Sequence, residues 1–297
     1  MTSRSRALGL TAAAVATAVA FAGCAQTRPT PQQPPSSSAG SRPTAPPTSR
    51  PTPTPSPASP VTSTRPTTSP TPLATCPKPA NGFIQRAPGT GKTVALTFDD
   101  GPGPADASIV QILDRYGIHA TFFETGQHAA ARPELVRLLA QHGELLGDHT
   151  WGHWYPRQVQ GGWTVNYLLK QFDRTDDEIS QLSGTAVCFF RPPGGFQTNV
   201  LAAASQRRLA SVLWSTDSLD WQQPNHTTAA ATAAIVKRAT AVNGNAHPIV
   251  LMHSFKASHE PESQVSSYRG NTIAALPAII EWYHAHGYRF VRMDGKS

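Results

Sequence analysis

Residues 94–102 read VALTFDDGP, an apolar and β-rich run that ends in two aspartates, a glycine and a proline. The run predicts a buried strand over residues 94–100. Neighbouring side chains of a regular strand point to opposite faces, so Asp99 and Asp100 can share one site only where the strand breaks. We expect the Gly-Pro pair to break it. Two carboxylates in one place need a cation or a guanidinium beside them, although the same four residues are also typical of a solvated turn.

Six further runs of this kind follow, and segments of helical period separate them. Strands are predicted over residues 120–126, 144–150, 187–192, 209–217, 249–253 and 288–293. Helices are predicted over residues 105–116, 133–142, 165–182, 199–208, 227–241 and 272–286. Strand–helix alternation over about seven units predicts an α/β fold whose parallel sheet closes into a barrel. Polar residues cluster where the predicted strands end, which is where such a barrel builds its site.

A histidine pair follows the third predicted strand, in the sequence HTWGH at residues 149–153. Histidines four apart lie on one face of a helical turn and can bind one metal through both imidazoles. The spacing matches that of zinc proteases, but Thr150 stands where those enzymes carry their glutamate base. With Asp100 as a third ligand, His149 and His153 would form an open site with a place for water. The spacing alone is weak evidence for a metal.

Three more motifs end later strands. Arg191 opens the sequence RPPGG and can hold a carboxylate through two hydrogen bonds, or simply form a structural ion pair. The sequence DSLDW at residues 217–221 ends the following strand. His253 closes the apolar run 249–253, where a core histidine is an equally good reading.

Taken together and in this order, the five motifs resemble those of the polysaccharide deacetylases, the NodB homology or carbohydrate esterase family 4. The resemblance covers nearly all of residues 90–297. It implies a distorted (β/α)7 barrel that binds one divalent metal, most often zinc, with cobalt or another divalent ion as alternatives. It implies three metal ligands, Asp100, His149 and His153. It also implies Asp99 as the general base, oriented by Arg191, and His253 as the general acid, tuned by Asp220.

The same resemblance implies where the substrate binds. Many relatives carry a tyrosine at the position of Gly194, and its backbone N–H helps to stabilise the oxyanion; glycine keeps the N–H and loses the ring. Trp221 and Leu251 would form the pocket for the acetyl methyl group. The implied reaction removes N-acetyl groups from GlcNAc-type residues of a polysaccharide, peptidoglycan or chitin-like. Two alternatives stay open: an O-acetyl esterase acting on xylan through the same site, and a non-catalytic cell-wall-binding module.

Residues 1–23 are predicted to be a signal peptide. Arg4 and Arg6 precede an apolar stretch over residues 7–22 that is short for a membrane span. The sequence FAGC at residues 21–24 resembles a bacterial lipobox, which would make Cys24 the lipidated first residue of an exported, membrane-anchored protein that faces the cell wall. Phe21 departs from the usual Leu or Val. Free secretion and a single membrane-spanning anchor remain alternatives.

Residues 24–75 are rich in Pro, Ser and Thr, and 15 of the 28 prolines lie between Pro29 and Pro72. Such a segment buries too little apolar surface to offset its ordering entropy, so we expect a disordered linker. At about 3.1 Å per residue it could reach on the order of 150 Å. The catalytic domain is expected to occupy residues 76–297.

The net charge of +7 belongs to the N-terminal part of the chain. Nine of the 25 basic residues and none of the 18 acidic ones precede Asp99, so the remainder carries −2. We therefore expect no nucleic-acid partner. The expected partners are an acetylated polysaccharide and, through the lipid, a membrane, and the protein is expected to be a monomer. Beyond Cys24, Cys76 and Cys188 form an even pair that invites a disulfide in an oxidising compartment, with two buried thiols as the alternative.

Overall fold

The computed structural model describes residues 76–79 and 81–297. The predictions for the signal peptide at 1–23, the lipidation site Cys24 and the linker at 24–75 therefore lie outside the described residues. Within the described part, no helix is both long enough and apolar enough to cross a membrane.

A parallel sheet forms the centre of the described part. Its strands are β1 (Thr93–Gly101), β2 (Thr121–Glu124), β3 (Leu145–Asp148), β4 (Phe189–Phe190), β5 (Ala210–Ser211), β6 (Thr216–Asp217), β7 (Ile249–His253) and β8 (Arg289–Phe290). They follow the order β5-β4-β3-β2-β1-β7-β6, and β8 pairs with the start of β1. The predicted α/β barrel is confirmed: the sheet curls and helices cover it, as in the distorted (β/α)7 fold.

The helices are α1 (Asp106–Tyr116), α2 (Gly126–Ala131), α3 (Pro133–Gln141), α4 (Val165–Ser183), α5 (Val200–Arg207), α6 (Ala229–Ala239) and α7 (Gly270–Ala285). Local sequence fixes their ends. Thr164 caps α4 by accepting the N–H of Tyr167, and Pro133 occupies the first turn of α3. The sequence did not predict α2, because six residues are too few to show a helical period.

The two faces of β1 explain why Asp99 points into the barrel. Val94, Leu96 and Phe98 pack into the larger core between the sheet and the helices. Ala95 packs into a smaller cluster with Phe123, Val212, Ile249, Val291 and Met293. Because side chains alternate along a strand, Asp99 shares the inward face of Ala95.

The prediction of one strand over residues 209–217 is wrong. The segment forms β5 and β6, which lie at opposite ends of the sheet. The backbone N–H of Val212 donates to the carbonyl of Phe190 in β4, whereas the backbone N–H of Ser215 donates to the carbonyl of Ile249 in β7. The chain therefore changes pairing partner within three residues, which a regular strand cannot do, and this crossing links the two ends of the curled sheet.

Candidate active site

The site is built at the ends of the parallel strands, and its first element is a bulge in β1. Asp99 pairs with His253 of β7, but the register with β2 shifts between Asp99 and Gly101. Asp100 takes a left-handed conformation with φ 70°. The irregularity thus lies at Asp100, one residue before the expected Gly-Pro break, and β1 continues through Gly101. An extra residue in a bulge re-aims its side chain, so both carboxylates reach one site.

Three buried side chains converge on one point beside this bulge. Oδ1 of Asp100 lies 3.4 Å from Nε2 of His149 and 3.2 Å from Nε2 of His153. Their ligand atoms all lie within 4.8 Å of one another. Oδ1 of Asp100 is buried and has no hydrogen-bond partner among the described residues. One carboxylate and two imidazoles suit zinc and similar divalent ions, so the residues fit a bound metal.

The loop that carries the two histidines is not the helical turn that the spacing predicted. Residues 149–153 are irregular, and Thr150 and His153 have φ values of 65° and 61°. The Oγ1 atom of Thr150 accepts the backbone N–H of His153 at 3.0 Å. This local bond holds the loop so that the two imidazole centroids are 4.9 Å apart. The convergence therefore arises from a tight loop and not from helical spacing.

The protonation states of the cluster suit metal ligands. Burial raises the pKa of the Asp100 carboxyl, but the imidazoles of His153 and His149 outweigh it and lower the pKa below its usual range. Burial lowers the pKa of His153 to about 3, so its imidazole is neutral at physiological pH. A carboxylate and a neutral imidazole are the forms that bind a cation.

A buried arginine holds Asp99. Nη1 of Arg191 donates to Oδ1 of Asp99 at 2.7 Å and to Oγ1 of Thr97 at 2.7 Å, and Nη2 donates to the carbonyl of Leu213 at 3.3 Å. Arg191 is fully buried. Oδ2 of Asp99 lies 3.6 Å from Nε2 of His149, at the edge of the candidate metal centre. One oxygen is thus fixed and the other faces the cluster.

His253, the paired position of Asp99 on the neighbouring strand, forms a second dyad. Its Nδ1 lies 2.7 Å from Oδ1 of Asp220. The other oxygen of Asp220, Oδ2, accepts the backbone N–H of His253 at 2.9 Å and the hydroxyl of Thr272 at 2.8 Å. Burial alone would lower the pKa of His253, but the Asp220 carboxylate outweighs it and raises the pKa to about 9. The imidazolium form therefore persists at neutral pH and can donate a proton from Nε2.

The three predicted substrate-binding residues lie on separate elements. Gly194 is exposed in the short turn Pro193–Gly195, with φ 60°. A side chain there would have its Cβ only 3.0 Å from the ring of Tyr155. Leu251 is buried in β7 opposite Thr97 of β1, and Trp221 is half-buried in the turn that follows Asp220.

The structure joins Cys76 and Cys188 by a disulfide with a Cα–Cα distance of 5.2 Å, inside the usual range. The bond ties the first described residues to the chain just before β4 and Arg191.

Sequence reasoning missed several residues that touch the site. Thr97 stands two residues before Asp99, on the same face of β1, and this spacing could have revealed it. Tyr155 and Glu260 lie in loops: the Tyr155 hydroxyl donates to Oε1 of Glu260 at 2.9 Å, and that oxygen lies 3.9 Å from Nδ1 of His153. No periodic pattern marks these loops, so the sequence carried no signal for the contact.

Known proteins are similar to this chain in sequence and fold. A family model described as polysaccharide deacetylase matches residues 86–210. A peptidoglycan-N-acetylglucosamine deacetylase of Bacillus cereus is 30% identical over 224 residues, which cover 73% of this chain and 93% of the relative. A chitooligosaccharide deacetylase of Rhizobium leguminosarum bv. trifolii is 31% identical over 66% of this chain and 88% of the relative.

The chain spans between 35% and 93% of the length of the curated relatives that it matches. For several of them the share is below two thirds. The solved structure of the Bc1960 peptidoglycan N-acetylglucosamine deacetylase superposes with a TM-score of 0.58 at 28% identity, over 71% of this chain and 90% of that one. Motifs, fold and relatives agree, and the chain belongs to the polysaccharide deacetylase family.

Proposed function

We propose that this protein is a metal-dependent hydrolase that removes N-acetyl groups from GlcNAc-type residues of a polysaccharide and releases acetate. One observation carries the proposal: Asp99 and His253 occupy paired positions of neighbouring strands, beside the cluster of Asp100, His149 and His153. A held carboxylate and a charged imidazole thus lie side by side at the strand ends, next to the candidate metal ligands. That is the arrangement that amide hydrolysis needs from a base and an acid.

Asp99 is the base. Arg191 binds its Oδ1, so Oδ2 is left to take a proton from water as that water attacks the acetamide carbon. A divalent cation held by Asp100, His149 and His153 supplies Lewis-acid polarisation of a carbonyl and lowers the pKa of water. Because Arg191 is itself fixed by Thr97 and Leu213, Asp99 needs little reorganisation during the reaction.

His253 is the acid. Asp220 binds Nδ1 and keeps the imidazolium charged, so Nε2 donates a proton to the sugar nitrogen as the C–N bond breaks. An amine is a poor leaving group without that proton, which explains why a carboxylate-supported histidine is needed here. The products are acetate and a glucosamine unit.

Gly194 offers its backbone N–H to the oxyanion that develops during attack, and its lack of a side chain leaves that place to the Tyr155 ring. Trp221 and Leu251 are assigned to the acetyl methyl group. The ion is assigned as zinc, with cobalt as the alternative, because a mixed N and O ligand set with one open position suits both.

The substrate is assigned as peptidoglycan or a chitin-like polymer. The test compares acetate release from peptidoglycan, chitooligosaccharides and acetylxylan under equal conditions. The proposal expects release from at least one of the first two and much less from acetylxylan. Release from acetylxylan alone would establish an O-acetyl esterase, and no release from any of the three would favour a wall-binding module.

The location is also part of the proposal. The N-terminal sequence supports export, lipidation at Cys24 and a linker over residues 24–75 that holds a monomeric catalytic domain over residues 76–297 at the wall. Labelling with a palmitate analogue should mark the wild-type protein in the membrane fraction and should not mark Cys24→Ser. Wild-type protein recovered unlabelled from the medium would contradict the anchor. Light scattering of the Cys24→Ser variant, purified without detergent, should give the mass of a monomer.

A further inference from the structure

The two histidines of the candidate metal centre differ in what their second ring nitrogen touches. Nδ1 of His149 lies 2.7 Å from the carbonyl of Arg191, a full hydrogen bond. Nδ1 of His153 is buried and has no hydrogen-bond partner among the described residues. A neutral imidazole that presents Nε2 to a cation carries its proton on Nδ1, and that N–H needs an acceptor.

Glu260 is the one carboxylate within 4.0 Å of this nitrogen in the described part of the chain. Its Oε1 lies 3.9 Å from Nδ1 of His153, and its side chain is 11% exposed. A carboxylate so far removed from water needs hydrogen-bond donors. The hydroxyl of Tyr155 supplies one at 2.9 Å. The unpartnered Nδ1 of His153 therefore lies next to a mostly buried carboxylate oxygen that already accepts one hydrogen bond.

We propose that Glu260 is a positioning residue for the metal centre: its carboxylate accepts the Nδ1–H of His153 and so holds Nε2 toward the cation. The inference rests on the proposed function, because it presumes that His153 is a ligand. Metal-binding histidines almost always donate their other N–H to a carboxylate, a carbonyl or water. The 3.9 Å separation is about 1 Å longer than a hydrogen bond, so the proposal requires the Glu260 side chain to move by about that distance when the metal is bound.

Tyr155 holds Glu260 in reach. Its hydroxyl donates to the same Oε1, and Lys256 anchors the loop by donating to the backbone carbonyl of Glu260. The Tyr155 ring also packs against the Gly194 turn, where a Cβ would lie 3.0 Å from the ring. Tyr155 and Glu260 thus connect the turn assigned to the oxyanion with His153.

The test measures metal affinity and does not depend on turnover. Zinc and cobalt dissociation constants of the full chain are determined by competition with a chromophoric chelator, together with the visible spectrum of the cobalt form. Glu260→Ala is expected to weaken both affinities about 10- to 100-fold. Glu260→Gln keeps an acceptor oxygen and should lose less, and Tyr155→Phe should lose less still.

Glu262→Ala is the matched control, since Glu262 lies in the same loop, is 53% exposed, and binds Ser267 and Lys256. It should bind metal as the wild type does. Wild-type affinity in Glu260→Ala would overturn the inference while leaving the proposed function intact. A wild-type protein that binds neither metal would instead remove the metal centre and the proposed function with it. If Glu260→Ala does not fold, unchanged affinity in both Glu260→Gln and Tyr155→Phe would overturn the inference.

Discussion

The site has two halves that are built differently. The half that we call strand-borne consists of Asp99 and His253 in β1 and β7, Arg191 directly after β4, and Asp220 in the short helical turn that follows β6. Its two dyads are closed at 2.7 Å. The loop-borne half consists of His153, Tyr155 and Glu260, and its link to the ligand histidine is 3.9 Å long. Parallel strands fix their ends through the sheet, whereas loops depend on their own side-chain contacts. The difference indicates that the sheet itself positions the two proton-transfer residues, whereas the position of His153 depends on contacts between loops.

The largest effect is expected from removing the metal, because the proposed reaction needs the cation to polarise the carbonyl and to lower the pKa of water. A strong chelator should abolish acetate release from an N-acetylated oligosaccharide, and added zinc or cobalt should restore it. The protein should remain folded by circular dichroism during the treatment, since the core clusters do not depend on the ligands. Full activity in protein that is metal-free by elemental analysis would contradict the site assignment.

His253→Ala should break the strand-borne half alone. Without the acid the sugar nitrogen leaves unprotonated, so turnover should fall about 10²- to 10⁴-fold. Metal affinity should stay at the wild-type value, since His253 is not in the ligand set. His226→Ala, at an exposed histidine far from the ligands in sequence, serves as the control and should keep full turnover. A His253→Ala variant with near-normal turnover would mean that His253 is a core histidine.

Asp220→Asn should shift the alkaline limit of activity. In the wild type the Asp220 carboxylate raises the pKa of His253 to about 9, so the acid is charged below that pH and activity declines as pH rises through it. Without the carboxylate, the largest of the causes that raise the pKa of His253 is lost, so that pKa should fall and the decline should begin at a lower pH. Asp294→Asn, near the C-terminus, should leave the profile unchanged. An unchanged alkaline limit in Asp220→Asn would show that a group other than His253 sets that limit.

Thr97→Val should have the smallest effect on the strand-borne half. The change keeps the shape and removes one acceptor of Arg191, which retains Asp99 and the carbonyl of Leu213. The change also removes the hydrogen bond that the Thr97 hydroxyl donates to the carbonyl of Val250, but that bond does not hold Arg191. Each hydrogen bond contributes about 0.5–1.5 kcal/mol, so the loss of the Arg191 bond should lower turnover about tenfold or less. Steady-state kinetics at saturating substrate measure this directly. A loss as large as that of His253→Ala would mean that Arg191 depends on Thr97 far more than its other contacts imply.

The strand-borne half was predictable from sequence for a physical reason. Apolar runs such as residues 249–253 mark buried strands, and parallel strands bring their polar end residues to one edge of the barrel. The resemblance then supplied roles for Asp99 and His253 that the bare pattern left open. The ends of β5 and β6 were not predictable, because an apolar run does not reveal which neighbours it pairs with.

In the loop-borne half, His153 was predicted as a ligand from its motif, but Tyr155 and Glu260 lay beyond sequence reasoning. Glu260 is seven residues past His253 in a loop without a period, and Tyr155 approaches it from a segment 105 residues away. Only the folded chain brings them together. The break in β1 was predicted one residue too late. A left-handed φ at an aspartate is uncommon, so the break was expected at the Gly-Pro pair and not at Asp100.

The central claim is that two adjacent aspartates divide the work, Asp100 binding the metal and Asp99 moving the proton. The most direct test measures zinc affinity and acetate release side by side in Asp99→Asn and Asp100→Asn. We predict that Asp99→Asn binds zinc as the wild type does and loses about 10²- to 10⁴-fold in turnover, whereas Asp100→Asn loses zinc affinity. Reversed phenotypes, or equal loss of zinc in both variants, would contradict the account.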